Sequence, residues 1–149
     1  MAADSDCVFC KIVQRKLPAS LVAEDPVALA FLDIRPINPG HTLVIPKAHA
    51  SRLEDLSPAS GGRLFEMAQA VASGLRRSGM PCEGVNIHLA DGEAAGQEVF
   101  HAHLHVFPRH RGDGVGLRFG PGYGHVPARD ELDAIAARIR GALSSGPSA

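Results

Sequence analysis

The sequence predicts an α+β fold: an antiparallel sheet of about five strands with a central helix and a C-terminal helix. Three observations lead there. Short apolar runs framed by proline and glycine follow one another closely between residues 21 and 46. Two stretches with helical spacing stand apart from each other instead of alternating with every strand. Finally, 149 residues of which 45% are hydrophobic suffice for one domain with a real core.

Taken in order, Cys7 to Lys16 carries Val8, Phe9, Ile12 and Val13 at near-helical spacing and stops before Pro18, which predicts a short helix. Leu21 to Glu24 and Val27 to Asp33 read as strands joined by a turn at Asp25-Pro26, and His41 to Ile45 as a third, framed by Pro39-Gly40 and Pro46. Together they predict a meander. Ser57 is a good N-cap with Pro58 at the first helical position, and Leu64, Ala68, Val71 and Leu75 form one stripe before Gly79. Gly84 to Leu89 reads as the next strand, Asp91-Gly92 as the start of a loop, and Val99 to Pro108 as the last strand. Gly112 to Gly124 reads as irregular, and Leu132, Ile135, Ile139 and Leu143 mark a final amphipathic helix.

Composition excludes several function classes. A net charge of -1 offers no electrostatic footprint for sequence-independent binding to nucleic acid. No run approaches the roughly 18 apolar residues of a membrane span, and the acidic start at Met1 to Asp6 does not resemble a cationic leader, so the expected address is the cytoplasm. Three cysteines are an odd number for a disulfide-stapled domain, so Cys7 and Cys10 are read as thiols.

The chemistry concentrates in Phe100-His-Ala-His-Leu-His-Val-Phe107. On a strand, His101, His103 and His105 would share one face, with Phe100, Ala102, Leu104 and Val106 packing on the other. Outer imidazoles about 13 Å apart on a flat strand cannot all reach one zinc ion, so at least one is free for another role. Gly92, Gly96 and Gln97 form a loop able to offer backbone N–H groups and a carboxamide to an anion. Cys7-x-x-Cys10 admits three readings: a redox pair, incidental thiols, or half of a structural zinc site completed by two donors among His41, His49, His88, His101 and Cys82. The redox reading is weakened because no strand precedes the pair, and spacing does not choose the remaining ligands.

The segments Phe31-Leu-Asp-Ile-Arg-Pro36, Pro39-Gly-His-Thr-Leu-Val-Ile-Pro-Lys-Ala-His49 and Ala95-Gly-Gln-Glu-Val-Phe-His-Ala-His-Leu-His-Val-Phe-Pro-Arg109, in this order, resemble the histidine triad (HIT) superfamily, and within it the Hint-like bacterial branch. The resemblance runs from Cys7 to about Arg111. It implies one HIT domain over 1–149, with its core at about 7–111 and residues 112–149 as an extension bearing the terminal helix. It implies a homodimer that binds a purine nucleotide such as AMP and acts at the α-phosphate of phosphoramidates or dinucleoside polyphosphates through a nucleotidyl-histidine. Structural zinc would be held by Cys7, Cys10, His49 and His101. His103 matches the nucleophile and His105 a phosphate-binding histidine, while Gln97 is expected to position the leaving group or phosphate. Backbone amides at Glu98 and Val99, next to Gly96, would stabilise charge. Asp33 matches the carboxylate that takes the ribose hydroxyls, and Phe9, Phe31, Ile34 and Leu43 the walls around the base. Two residues depart from the pattern: Ala90 stands where many members have asparagine, and Glu98 where some have serine. Two other classes remain open: a hydrolase with an open catalytic zinc, and a nucleotide-binding regulatory protein with incidental hydrolysis.

Overall fold

In the computed structural model, which describes residues 6–146, the chain divides into two compact units, the first ending at Val115 and the second beginning at Gly116. The first holds the sheet. Its elements are α1 (Val8–Val13), β1 (Leu21–Glu24), β2 (Ala28–Leu32), β3 (Thr42–Pro46), α2 (Pro58–Arg77), β4 (Gly84–His88) and β5 (Leu104–Arg109), with 3₁₀ turns at Leu53–Asp55 and Glu93–Ala95. All strand pairings are antiparallel, in the order β1-β2-β3-β5-β4. The expected five-stranded α+β sheet and its meander are therefore present.

The two faces of this sheet are chemically different. Ala28, Ala30, Val44 and Val106 point to one side and pack against Leu64, Met67, Ala68, Val71 and Leu75 of α2. The alanines in β2 are fully buried, and their small side chains let the helix approach closely. Ser57 caps α2 as its sequence predicts, its hydroxyl accepting from the Ser60 N–H at 3.1 Å. Each large apolar side chain buried here is worth about 1.5–3 kcal/mol. Leu29, Phe31, Leu43 and Ile45 point to the opposite side and meet Phe9 and Ile12 of α1. Helix α1 is shorter than its periodicity suggests. Cys7 serves as its N-cap, and the chain leaves helical geometry where Arg15 adopts φ 62°.

The expected strand at Val99–Pro108 begins only at Leu104 and runs to Arg109. Upstream, the backbone bonds elsewhere: Ala102 N–H donates to Ala50 O at 2.7 Å, and His101 N–H to Val99 O at 2.9 Å. His101 and His103 thus lie in a bend ahead of the strand. The expected division into packing and open faces fails with it. Phe100 is 43% exposed, whereas His101 is fully buried and His103 is 6% exposed.

The second unit contains α3 (Arg129–Ser144), preceded by an irregular glycine-rich segment in which Phe119 and Tyr123 stack at 3.9 Å. The helix forms where its apolar stripe predicts, yet none of its residues is buried; Ile139 is 58% exposed. No helix among the described residues is long and apolar enough to cross a membrane.

Candidate active site and metal cluster

Both groups of interest lie on the α1 side of the sheet. Cys7, Cys10, His49 and His101 converge so that their ligand atoms all fall within 4.8 Å of one another. His101 Nδ1 lies 3.4 Å from Cys7 Sγ and 3.6 Å from Cys10 Sγ, and His49 Nδ1 lies 3.3 Å from Cys10 Sγ. A tetrahedral zinc with ordinary Zn–S and Zn–N bonds has S···N edges of about 3.6 Å, so donor set and spacing both fit this ion. The tautomers agree. His101 Nε2 donates to the Pro46 carbonyl at 2.8 Å, which leaves Nδ1 as a lone-pair donor towards the sulfurs. Burial pushes the His101 imidazolium down to about 4, so the ring is neutral at physiological pH.

The carbonyl of the same residue organises the next histidine. His103 Nδ1 donates to His101 O at 2.7 Å, so the neutral ring carries its free lone pair on Nε2. Phe9 meets this ring edge-on at 5.2 Å and also packs against Phe31 at 5.5 Å. Burial holds His103 below the ordinary histidine value, while its bond to the His101 carbonyl works in the other direction. A neutral imidazole with an unencumbered Nε2 can act as a nucleophile or a base.

His105 lies 4.8 Å from the His103 ring, centre to centre, and it has a partner that sequence reasoning missed. From the sequence, His41 stands out only as a possible zinc donor. In the structure its ring is 2% exposed and sits behind His105. Ile37 N–H donates to His41 Nδ1 at 3.1 Å, which obliges the neutral ring to carry its proton on Nε2. That Nε2–H then donates to His105 Nδ1 at 2.9 Å, leaving the His105 proton on Nε2. The His101 carbonyl thus makes His103 Nε2 an acceptor, and the donor chain through His41 makes His105 Nε2 a donor. Burial is the main reason His105 is pushed down to about 4, with the neighbouring His103 and His41 adding to it. The one sequence signal for His41 was its position at the start of β3, on the same side of the sheet as His105.

Asp33 approaches this chain from the other end, its Oδ2 3.7 Å from His41 Nδ1, while its Oδ1 accepts from the Arg35 N–H at 2.8 Å. Phe9, Phe31 and Leu43 are buried in one cluster, whereas Ile34 is 94% exposed on the loop that follows β2. Gln97 is 4% exposed, with its carboxamide engaged inside its own loop. Its Nε2 donates to Ser51 O and Val99 O, and its Oε1 accepts from Gly92 N–H. Gly96 has φ 86°, a conformation that favours glycine, and lets this loop turn. Val99 packs against the Phe9 cluster. Glu98, one of the two departures from the family pattern, is exposed and pairs with Arg35 at 2.8 Å, joining the Asp33 and Gln97 loops.

A β-sheet with α1 on one face, a Cys₂His₂ cluster and a histidine row beside it define a class, and comparison with known proteins identifies it. The HIT domain model matches residues 14–112, and the chain belongs to the HIT family. An uncharacterized HIT-like protein of Borreliella burgdorferi is 45% identical over 77% of this chain and 84% of its own length. The adenosine 5'-monophosphoramidase hnt1 of Schizosaccharomyces pombe is 35% identical over 89% of this chain and 95% of its own. Among solved structures, a Zn-bound histidine triad family protein from Mycobacterium smegmatis superposes with a TM-score of 0.72 at 42% identity, covering 92% of this chain and 97% of that one.

Proposed function

We propose that the protein is a zinc-containing nucleotide hydrolase or transferase acting at the α-phosphate of purine nucleotide conjugates. The observation that carries this reading is the pair of fixed tautomers: an acceptor at His103 Nε2 beside a donor at His105 Nε2. His103 Nε2 attacks the α-phosphorus, and the bond to the leaving group breaks with its electron pair staying on the departing atom, which takes up a proton. Water then attacks the nucleotidyl-histidine, releasing the nucleoside monophosphate and restoring the imidazole. His105 hydrogen-bonds the phosphate oxygens, and the backbone amides of Glu98 and Val99 stabilise developing charge. Asp33 receives the ribose hydroxyls, and the base lies against Phe9, Phe31 and Leu43, with Ile34 at the rim. Gln97 contributes by holding the phosphate loop in shape. The relative named as an adenosine 5'-monophosphoramidase supports this choice of substrate class.

Cys7, Cys10, His49 and His101 hold the zinc in a closed site, where it braces the segment leading into β5 and takes no part in the reaction; the Zn-bound relative supports the metal. The same reading makes the protein a cytoplasmic homodimer, in keeping with thiols kept reduced as ligands. It treats residues 1–149 as one HIT domain with a C-terminal extension. The test is turnover of an adenosine phosphoramidate with AMP binding measured alongside. His103→Ala removes turnover and leaves AMP affinity within a few-fold, and undiminished turnover would exclude His103 as nucleophile. Tight AMP binding by the unaltered protein, without turnover or covalent intermediate on a broad substrate panel, would favour a regulatory nucleotide-binding protein.

A further inference from the structure

On the histidine side of the sheet, paired residues form a row that crosses the strands. Phe31 of β2 pairs with Leu43 of β3, Leu43 with His105 of β5, and His105 with His88 of β4. Directly opposed residues in an antiparallel pair share a face. At about 4.8 Å per strand the row spans about 14 Å. A nucleotide read as above has its base at the β2 end and its α-phosphate at β5. The group attached on the far side of phosphorus then extends over β4.

Strand β4 is furnished for such a group. His88 is exposed, its ring 5.8 Å from that of His105, and its side chain makes no hydrogen bond to another described residue. Two residues earlier on the same face, Asn86 has its carboxamide oxygen occupied by Arg109 Nη1 at 2.6 Å, which leaves its NH₂ donor pair free. Arg109 itself is paired with Gly84, and its guanidinium is spent on both oxygens of Asp113, on Asn86 and on Val115 O, so it fixes the Asn86 amide and leaves that amide and the His88 imidazole to meet a ligand. The acidic side chain bonded here, Asp113, is held by Arg109. The Asn86 NH₂ pair and the His88 ring N–H are the donors left over, and they suit the oxygens of a phosphoryl group.

We propose that His88, with Asn86, forms a subsite for a leaving group that begins with a phosphoryl unit, so that the preferred substrates are nucleoside polyphosphate conjugates. This rests on the α-phosphate reading above and adds to it the residues of this chain that select polyphosphate conjugates over phosphoramidates. None of the residues assigned there to nucleophilic attack, phosphate binding or nucleoside binding lies on β4.

Calorimetric titration of the zinc-loaded protein with AMP and with ADP tests it, because ADP places its β-phosphate where the leaving group would lie. In His88→Ala and in Asn86→Ala, ADP affinity falls about five- to tenfold while AMP affinity stays within twofold; His88→Gln, which keeps a donor, retains most of the ADP affinity. Equal weakening of both nucleotides, or no change in either, overturns the subsite while leaving the α-phosphate reading intact. Failure of the unaltered protein to bind either nucleotide overturns both.

Discussion

Replacing His41 separates the two functions of its ring. Asparagine places an acceptor near the Nδ1 position and keeps the bond from Ile37 N–H, whereas glutamine extends an amide donor towards the Nε2 position and His105. In the structure, the bond that matters for chemistry is His41 Nε2–H to His105 Nδ1, 2.9 Å long and reaching from a buried ring to a half-buried one. Losing such a bond costs about 0.5–1.5 kcal/mol net, and about 1–3 kcal/mol when the buried partner is left unsatisfied. Without it, the His105 proton is no longer confined to Nε2, and the donor facing the phosphate is present for only part of the time. At about 1.4 kcal/mol per factor of ten, His41→Asn lowers kcat for an adenosine phosphoramidate about tenfold or more, and AMP affinity changes by less than threefold. His41→Gln retains kcat within about threefold, since one hydrogen-bonded donor replaces another. Steady-state kinetics with melting temperatures measured in parallel decide the matter. Wild-type kcat in His41→Asn, or a glutamine variant no better than the asparagine one, would refute the donor chain.

Three other outcomes follow from the geometry. The folded-state value of His103 is depressed, so the neutral nucleophile persists as pH falls through the ordinary histidine range; the acid limb of kcat/KM therefore has its midpoint below about 6.5, and a midpoint above 7 would contradict the burial argument. Purified protein carries one zinc per chain, and chelation lowers the melting temperature and turnover together; a chelated protein that kept its melting temperature yet lost turnover would point to an open catalytic metal. Gly40 sits at φ 97°, where an added Cβ would lie 2.8 Å from Leu75 Cδ2 and 2.9 Å from Met80 Cε. Gly40→Ala therefore destabilises by about 1–3 kcal/mol, measured by urea denaturation, and an unchanged midpoint would show that this turn tolerates a side chain.

The parts of the molecule legible in the sequence are those governed by local rules. The apolar stripe of α2 and its Ser57 cap carry their own periodicity and hydrogen bond, and the meander carries its own turns. The histidine run misleads because alternation is evidence for a strand only if the backbone pairs as one. Here Pro46 O accepts from the His101 ring and Ala50 O from Ala102 N–H, tertiary bonds that leave no periodic trace. Spacing likewise left the partners of Cys7 and Cys10 open, since His49 and His101 arrive from distant segments. His41 looked like any strand-end histidine, and its importance depends on the nitrogen that Ile37 N–H meets. Ile34 is a base wall only through the family resemblance, and its exposure on the loop is nothing that spacing announces.

The cysteine–histidine cluster also sets an order of assembly. Cys7 and His101 are 94 residues apart, and closing a loop of that length costs about 4 kcal/mol in chain entropy, before any other contact is counted. The carbonyl that orients His103 belongs to this same His101. During synthesis the thiols emerge early and wait for a partner made much later, and contacts of such separation slow folding. A chain in which Cys7 and His101 have not met lacks the brace behind its nucleophile, so reactivity is withheld until the sheet unit has closed.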